Sequence, residues 1–285
     1  MTSCVLTVIK DEHIYLDEFI QYYLSIGIDH IIIGEDTDSI THKDIIDKYN
    51  NVTLYNVLDF FSDEKMKNKS IFLKTHGVSP QESYLYNGLI YIKYHYDFDW
   101  CFVIDIDEFV TFDNKYKNIN EVLSLYKDYD SVILQWQNFG ANGLIYRPDY
   151  NQKGIIETYT KCCNFTRKDE YLWFRNVKSV HHLNNYTKNS YNSGHVPNLK
   201  TNWCRTNFSK DIKNLIYDTM YIRHYITKSW EEYVIKLNVR GMFNRQHRNY
   251  EDFFDLNPDM KDNKKELLKI ADNIILNNIN KKEGN

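Results

Sequence analysis

No stretch of this 285-residue chain approaches eighteen consecutive apolar residues, so no membrane-spanning helix is expected. The opening "MTSCVLTVIKDEH" has no basic leader and only a short apolar run before charges arrive, so a secretory signal peptide is not expected either. Neither sign of charge is in excess. Thirty-five Lys and Arg against thirty-nine Asp and Glu leave a net charge of −4, interspersed along the chain. That speaks against a polyanion-binding surface, and no nucleic-acid partner is expected. Cysteine is scarce and odd in number. Cys4, Cys101, Cys162, Cys163 and Cys204 lack metal-finger spacing, and three of the five sit among apolar or aromatic neighbours as buried thiols do. A reducing, cytoplasmic setting follows as the expectation.

What is present is enough apolar material, 42% of residues, for a sizeable core in one large domain or two small ones. Tyr reaches 24, beside abundant Asn, Lys and Ile. Because that enrichment runs through the whole chain, it reads as compositional bias before it reads as sugar-stacking aromatics.

The N-terminal third alternates. "CVLTVI" (Cys4 to Ile9) is β-branched and suits a buried parallel strand. Leu16, Phe19, Ile20, Tyr23 and Leu24 then form one apolar helix face, and Gly27 stands at a C-terminal cap position. "HIII" is a second strand, Thr41 with Asp44 marks a second helix start, and "VTLYNV" from Val52 a third strand. "SPQE" offers Ser79 as N-cap, Pro80 at the first helical position and Glu82 to close a capping box, for a helix to about His95. The β-α-β-α-β order predicts an α/β fold, a Rossmann-like, mostly parallel sheet flanked by helices.

"WCFVIDIDEFV" (Trp100 to Val110) is then a fourth strand running into acid. In open α/β sheets ligands bind beyond the carboxyl ends of the strands, which is where Asp105 and Asp107 fall. Period two places both carboxylates on one side of a strand, where they repel unless a cation offsets them. Hard oxygen donors in this pattern suit Mn²⁺ or Mg²⁺, which borrow further oxygens from a substrate's phosphates. The plain alternative is a solvated strand end, disfavoured by the buried run that precedes it.

Several segments in this order resemble GT-A glycosyltransferases of the family 2 and family 92 type. "VIKDEHIYLDEFIQYYLSIGIDHIII" is similar to their opening, with Lys10, Asp11 and Glu12 in the turn after the first strand. "WCFVIDIDEFV" is similar to their D-x-D strand, "QWQNFGANG" (Gln135 to Gly143) to their Phe-Gly segment, "VKSVHH" to a Lys-Ser segment, and "RHYITKSWEEYVIKLNVRG" (Arg223 to Gly241) to their close. The chain departs from the pattern at "GEDTDS", Gly34 to Ser39, and at Ala141 and Asn142. The resemblance implies a GT-A domain over residues 1–241, with 242–285 a C-terminal helical extension packed on it, whose final amphipathic helix carries Leu267, Leu268, Ile270, Ile274 and Ile275. The lysines of that helix leave room for peripheral membrane contact, although a basic face is ordinarily just solvated.

The implied activity is that of a metal-dependent glycosyltransferase, a hexosyltransferase. It would move a sugar, with inversion, from a nucleotide-sugar donor of the UDP type to a glycan or other hydroxyl acceptor. In that reading Asp105 and Asp107 hold metal and diphosphate, and His224 is the candidate third metal ligand with His195 as its rival. Lys10 and Glu12 bind the donor from the first turn, Glu35 or Asp36 holds its ribose or base, Lys178 reaches a phosphate, and Gln81, Tyr86 and Asn87 resemble a helix motif facing the donor. The catalytic base is Glu157, or Asp169 or Glu170. Ser229 and Glu232 have a simpler role as a capping box. Two readings compete: a phosphatase of the haloacid dehalogenase type, against which Phe109 stands where Thr or Val is needed, and a non-catalytic glycan-binding protein of the same fold.

Overall fold

The computed structural model describes residues 1–36, 39–60, 80–163, 177–186, 195–198, 200–206, 219–240 and 249–283. The chain clusters into two compact units, Met1–Trp136 with Arg167–Arg223, and Gln137–Thr166 with His224–Asn285. The boundary expected after Gly241 falls inside the second unit.

The described strands are β1 (Ser3–Ile9), β2 (His30–Glu35), β3 (Val52–Asn56), β4 (Trp100–Val103), β5 (Glu108–Phe112), β6 (Ser131–Asn138), β7 (Val177–His182), β8 (Trp203–Arg205) and β9 (Met220–His224). They form one sheet in the order β3-β2-β1-β4-β7-β6-β9-β5, with β8 pairing β6. β3, β2, β1 and β4 are mutually parallel, in a register that puts Leu6 beside both Ile32 and Val103. β7 runs antiparallel to β4 and to β6, so the sheet is mixed around a parallel N-terminal half. This is the α/β class expected. Every residue of β1 is buried, as are Ile31, Ile32 and Ile33 of β2. A strand covered on both faces needs such a near-continuous apolar run, here interrupted only by Thr7 after Ser3.

The helix His13–Ser25 buries Tyr15, Leu16, Phe19, Ile20 and Tyr23, close to the expected stripe. It ends as the sequence predicts, on Gly27 at φ 95°. Ile28 N–H donates to Tyr23 O and Gly27 N–H to Leu24 O, satisfying the last carbonyls in a left-handed cap that a side chain at Gly27 would strain. The helix Pro80–His95 also forms where Pro80 predicts it.

Two local expectations fail for identifiable reasons. The second helix is only Lys43–Ile46, and His42, not Thr41, precedes it. His42 makes no cap because its ring is taken up elsewhere, while the Thr41 hydroxyl merely accepts from Lys43 N–H at 3.3 Å. The D-x-D strand stops at Val103, before its acids. Asp105 to Glu108 form a tight turn, with Glu108 N–H donating to Asp105 O at 3.0 Å and Asp105 N–H to Glu108 Oε2 at 2.9 Å. Strand periodicity therefore does not govern the two aspartates.

In the second unit Ser229 and Glu232 make the predicted capping box for the helix Trp230–Ile235. Trp230 is fully buried among Phe253, Phe254, Leu267 and Ala271, and its indole N–H donates to Leu267 O at 2.9 Å. Truncation of such a side chain typically costs about 3–5 kcal/mol. The C-terminal helices Tyr250–Leu256 and Lys264–Glu283 thus supply much of this unit's core.

Candidate functional site

The first cluster is built around the turn that follows β4. Asp105 is held from two directions, because Gln81 Nε2 donates to Oδ1 at 2.9 Å and Lys178 Nζ to Oδ2 at 2.8 Å. Gln81 stands in the first turn of the helix Pro80–His95, and Lys178 is the second residue of β7, next to β4 in the sheet. Lys178 is buried, and its ammonium is also 3.7 Å from Glu108 Oε2. Burial works against the charge on Lys178, but the Asp105 and Glu108 carboxylates outweigh it and raise its pKa, so it stays a cation. Glu108 is fully buried, and that burial pushes its pKa well above the carboxylate range against the pull of Lys178. The outcome is a Lys178–Asp105 ion pair with Glu108 as a buried acid beneath it. Asp107 is 4% exposed in the same turn.

His195 contributes from the segment 195–198. Its Nδ1–H donates to Val177 O at 2.9 Å, and its ring meets Trp136 edge to face. Burial lowers its pKa, and Lys178 lowers it further while Asp105 opposes, so the ring is neutral at physiological pH. His195 therefore feels both members of the ion pair.

A second cluster lies at the ends of β1 and β2. The Lys10 ammonium is 3.9 Å from Asp36, which is buried. His42, also buried, joins two candidates: Glu12 N–H donates to its Nε2 at 3.1 Å, while its Nδ1–H and backbone N–H donate to Glu35 Oε1 at 2.7 and 2.9 Å. Asp11 adopts φ 53°, accepts from Ile40 N–H and donates its own N–H to Ser39 Oγ, which ties the two loops together. His42 was not singled out in the sequence. Its only signal there is position, seven residues after Glu35.

Asn87 donates to Ser83 O within its own helix. Glu157 is exposed on the four-residue helix Ile155–Thr158 of the second unit. Asp169 and Glu170 lie outside the described residues. His224 belongs to the second unit, where it is buried and its Nδ1–H donates to Asn138 Oδ1 at 3.1 Å.

Among the described residues three non-glycine positions have positive φ: Asp11, Asn142 and Lys228. Each falls in a segment that the sequence singled out, "KDE", "FGANG" and "YITKS". Left-handed backbone at residues with a Cβ costs free energy and concentrates where a precise loop shape is needed.

For a divalent cation the donor set is narrow. Among the described residues no group of three or more His, Cys, Asp or Glu is placed to hold one. Both oxygens of Asp105 already accept from Gln81 and Lys178, and a cation on the same carboxylate would face the ammonium. Asp107 is the acid in the turn with the chemistry for it, and hard cations that use one or two carboxylates complete their shell with water and phosphate oxygens.

No helix among the described residues is long and apolar enough to cross a membrane. Comparison with curated proteins finds no match. Among solved structures, S. aureus TarS 1-349 is similar at 10% identity over 87% of this chain and 68% of that one, with a TM-score of 0.38. The galactosyltransferase LgtC, solved in complex with donor and acceptor sugar analogs, is similar at 13% identity over 90% of this chain and 96% of that one, also with a TM-score of 0.38. Glycosyltransferase family 92 matches residues 1–269, nearly the whole length, and the chain belongs to that family.

Proposed function

We propose that this glycosyltransferase moves a sugar from a uridine diphosphate donor to a hydroxyl of a glycan or other acceptor, with inversion at the anomeric carbon and a divalent cation. The observation that carries the reading is the doubly held Asp105. A carboxylate fixed by Gln81 and Lys178 at the end of β4 keeps its remaining lone pairs in one orientation for the donor, without the rotamer freedom of a solvated side chain. Glu12 and Glu35, tied through His42, and Asp36, paired with Lys10, would line the nucleoside end.

Mn²⁺ or Mg²⁺ would be held by Asp107 and the donor's own phosphate oxygens. When bound it offsets the negative charge that develops on the leaving diphosphate. His195, with Nδ1 on Val177 O, and His224, with Nδ1 on Asn138 Oδ1, would be the candidate ligands, since each hydrogen bond favours the tautomer in which Nε2 is unprotonated. Lys178 is engaged by Asp105 and Glu108, so its part would be to hold Asp105 in place rather than to contact the diphosphate. In the transfer itself, the acceptor oxygen attacks the anomeric carbon as its proton passes to a carboxylate base and the bond to the diphosphate oxygen breaks. Glu157 is the base candidate that the described residues include. Family membership sets aside the phosphatase reading.

The test is release of UDP from UDP-glucose, UDP-galactose and their N-acetylamino forms, with Mn²⁺ and with excess chelator, beside GDP- and ADP-sugars. Mn²⁺-dependent UDP release supports the proposal. Turnover confined to another nucleotide removes the uridine assignment.

A further inference from the structure

Asn257 is a buried residue at the end of the helix Tyr250–Leu256, in the part of the chain that reads from sequence as a flanking extension. Its side chain does not face its own helix alone. Oδ1 accepts a short hydrogen bond from Ala141 N–H, and Nδ2 donates to Phe253 O at 2.9 Å and to Thr227 Oγ1 at 3.4 Å. One amide thereby joins "FGANG" to "YITKS", two of the segments that carry a positive-φ residue. A Cβ on Gly140 would come within 2.6 Å of Asn257 Oδ1 and 3.4 Å of Leu256 O, so the turn approaches Asn257 as closely as a glycine permits. The same turn is held from its other side, by Gly140 N–H on Lys161 O and by Asn142, whose Nδ2 donates to Thr158 O and whose Oδ1 accepts from Lys161 N–H. Phe139 N–H donates to His224 O, which carries the restraint back to the start of "HYITKS". All of these residues lie in the second unit.

We propose that Asn257 is a positioning residue for glycosyl transfer: it sets the backbone of the Phe139–Gly143 turn and the adjoining Thr227–Lys228 loop, so that the C-terminal segment completes the substrate-handling surface of the second unit rather than merely covering its flank. This rests on the proposed glycosyl transfer, and adds to it that these two segments, which resemble family segments in sequence, meet the substrates. The geometry needs the acceptor oxygen of Asn257 for the turn and its amide donors for the helix end and the loop. The two halves of the side chain can therefore be separated by mutation.

The experiment compares the full chain with N257D, N257A, G140A and the double variant G140A/N257A. Three quantities are measured: melting temperature, kcat and KM for UDP release from the UDP-sugar that the wild type turns over best, and amide exchange of residues 139–142. Asp retains the acceptor oxygen, so N257D should keep kcat within about threefold. N257A should lower kcat about tenfold or more with little change in donor KM, because loosening a turn displaces reacting groups without removing donor contacts. N257D loses the donated hydrogen bonds and N257A loses the accepted one as well, so both should lower the melting temperature, and a kcat kept in the destabilised N257D is what a merely structural asparagine would not give. G140A should reproduce the N257A loss, and the double variant should be no worse than either single one, since both break the same contact. Equal kcat losses in N257D and N257A, or multiplying losses in the double variant, overturn the proposal. If the wild type releases UDP from no donor, the donor reading fails separately. Exchange then decides for the positioning role: unchanged protection of residues 139–142 in N257A overturns it, and faster exchange upholds the lock.

Discussion

The Lys178 ammonium lies 2.8 Å from Asp105 Oδ2 and 3.7 Å from Glu108 Oε2, so a single buried cation faces two acids of the same turn. Lys178→Met would leave Asp105 unbalanced at a site only 27% exposed. Breaking one side of a mostly buried pair is expected to cost about 3 kcal/mol. Urea unfolding at neutral pH measures it, and a loss below about 1 kcal/mol would mean that solvent, not Lys178, balances Asp105.

Asp107 is the acid assigned to the cation. Asp107→Asn should remove most UDP release and raise the Mn²⁺ concentration for half-maximal activity, while the melting temperature without metal stays within a few degrees of wild type. Full turnover of the wild type in excess chelator would refute the cation's part in catalysis.

Uridine nucleotides should stabilise the folded chain. A ligand at a hundredfold its dissociation constant adds about 2.7 kcal/mol if it binds only the native state. Melting curves with UDP and Mn²⁺ test this. An upward shift with GDP or ADP and none with UDP would redirect the donor assignment.

The two candidate ligand histidines separate by the same titration. A ligating histidine binds metal in its neutral form, so its substitution should move the Mn²⁺ midpoint more than the stability. His224→Ala and His195→Ala are compared by Mn²⁺ midpoint and metal-free melting temperature. A variant that loses only melting temperature marks that ring as a packing and hydrogen-bonding element, seated on Asn138 or Val177 respectively.

His181 makes a prediction about pH. It is buried in β7 between the hydroxyls of Ser131 and Ser179, and burial pushes its pKa down to about 3. The unfolded ring titrates near 6.5, so below that pH the unfolded chain takes up a proton that the folded chain refuses. This contribution is fully present above pH 6.5 and declines as pH falls towards 3, by up to about 1.4 kcal/mol per pH unit. Unfolding free energies from pH 7.5 to 5 should show a steeper decline for wild type than for His181→Gln. Parallel slopes would place the titration elsewhere.

The sequence by itself determined the elements whose cause is local. The largely apolar runs of β1 and β2, the stripe Leu16–Phe19–Ile20–Tyr23, the glycine at φ 95° after the first helix, Pro80 at the head of its helix and the Ser229–Glu232 capping box each depend on a few adjacent residues. Backbone sterics and hydrophobic period act over that range, so these features are legible without coordinates. The position of Asp105 and Asp107 after a buried strand was legible for the same reason. Their turn was not, because it depends on the Glu108 side chain closing back on Asp105 N–H. Tertiary structure alone decided the rest. Lys178 meets Asp105 across 73 residues, and Asn257 meets Ala141 across 116. Such pairs leave no periodic trace, because they depend on sheet order and on which face of a buried core has room for one polar side chain and its partner.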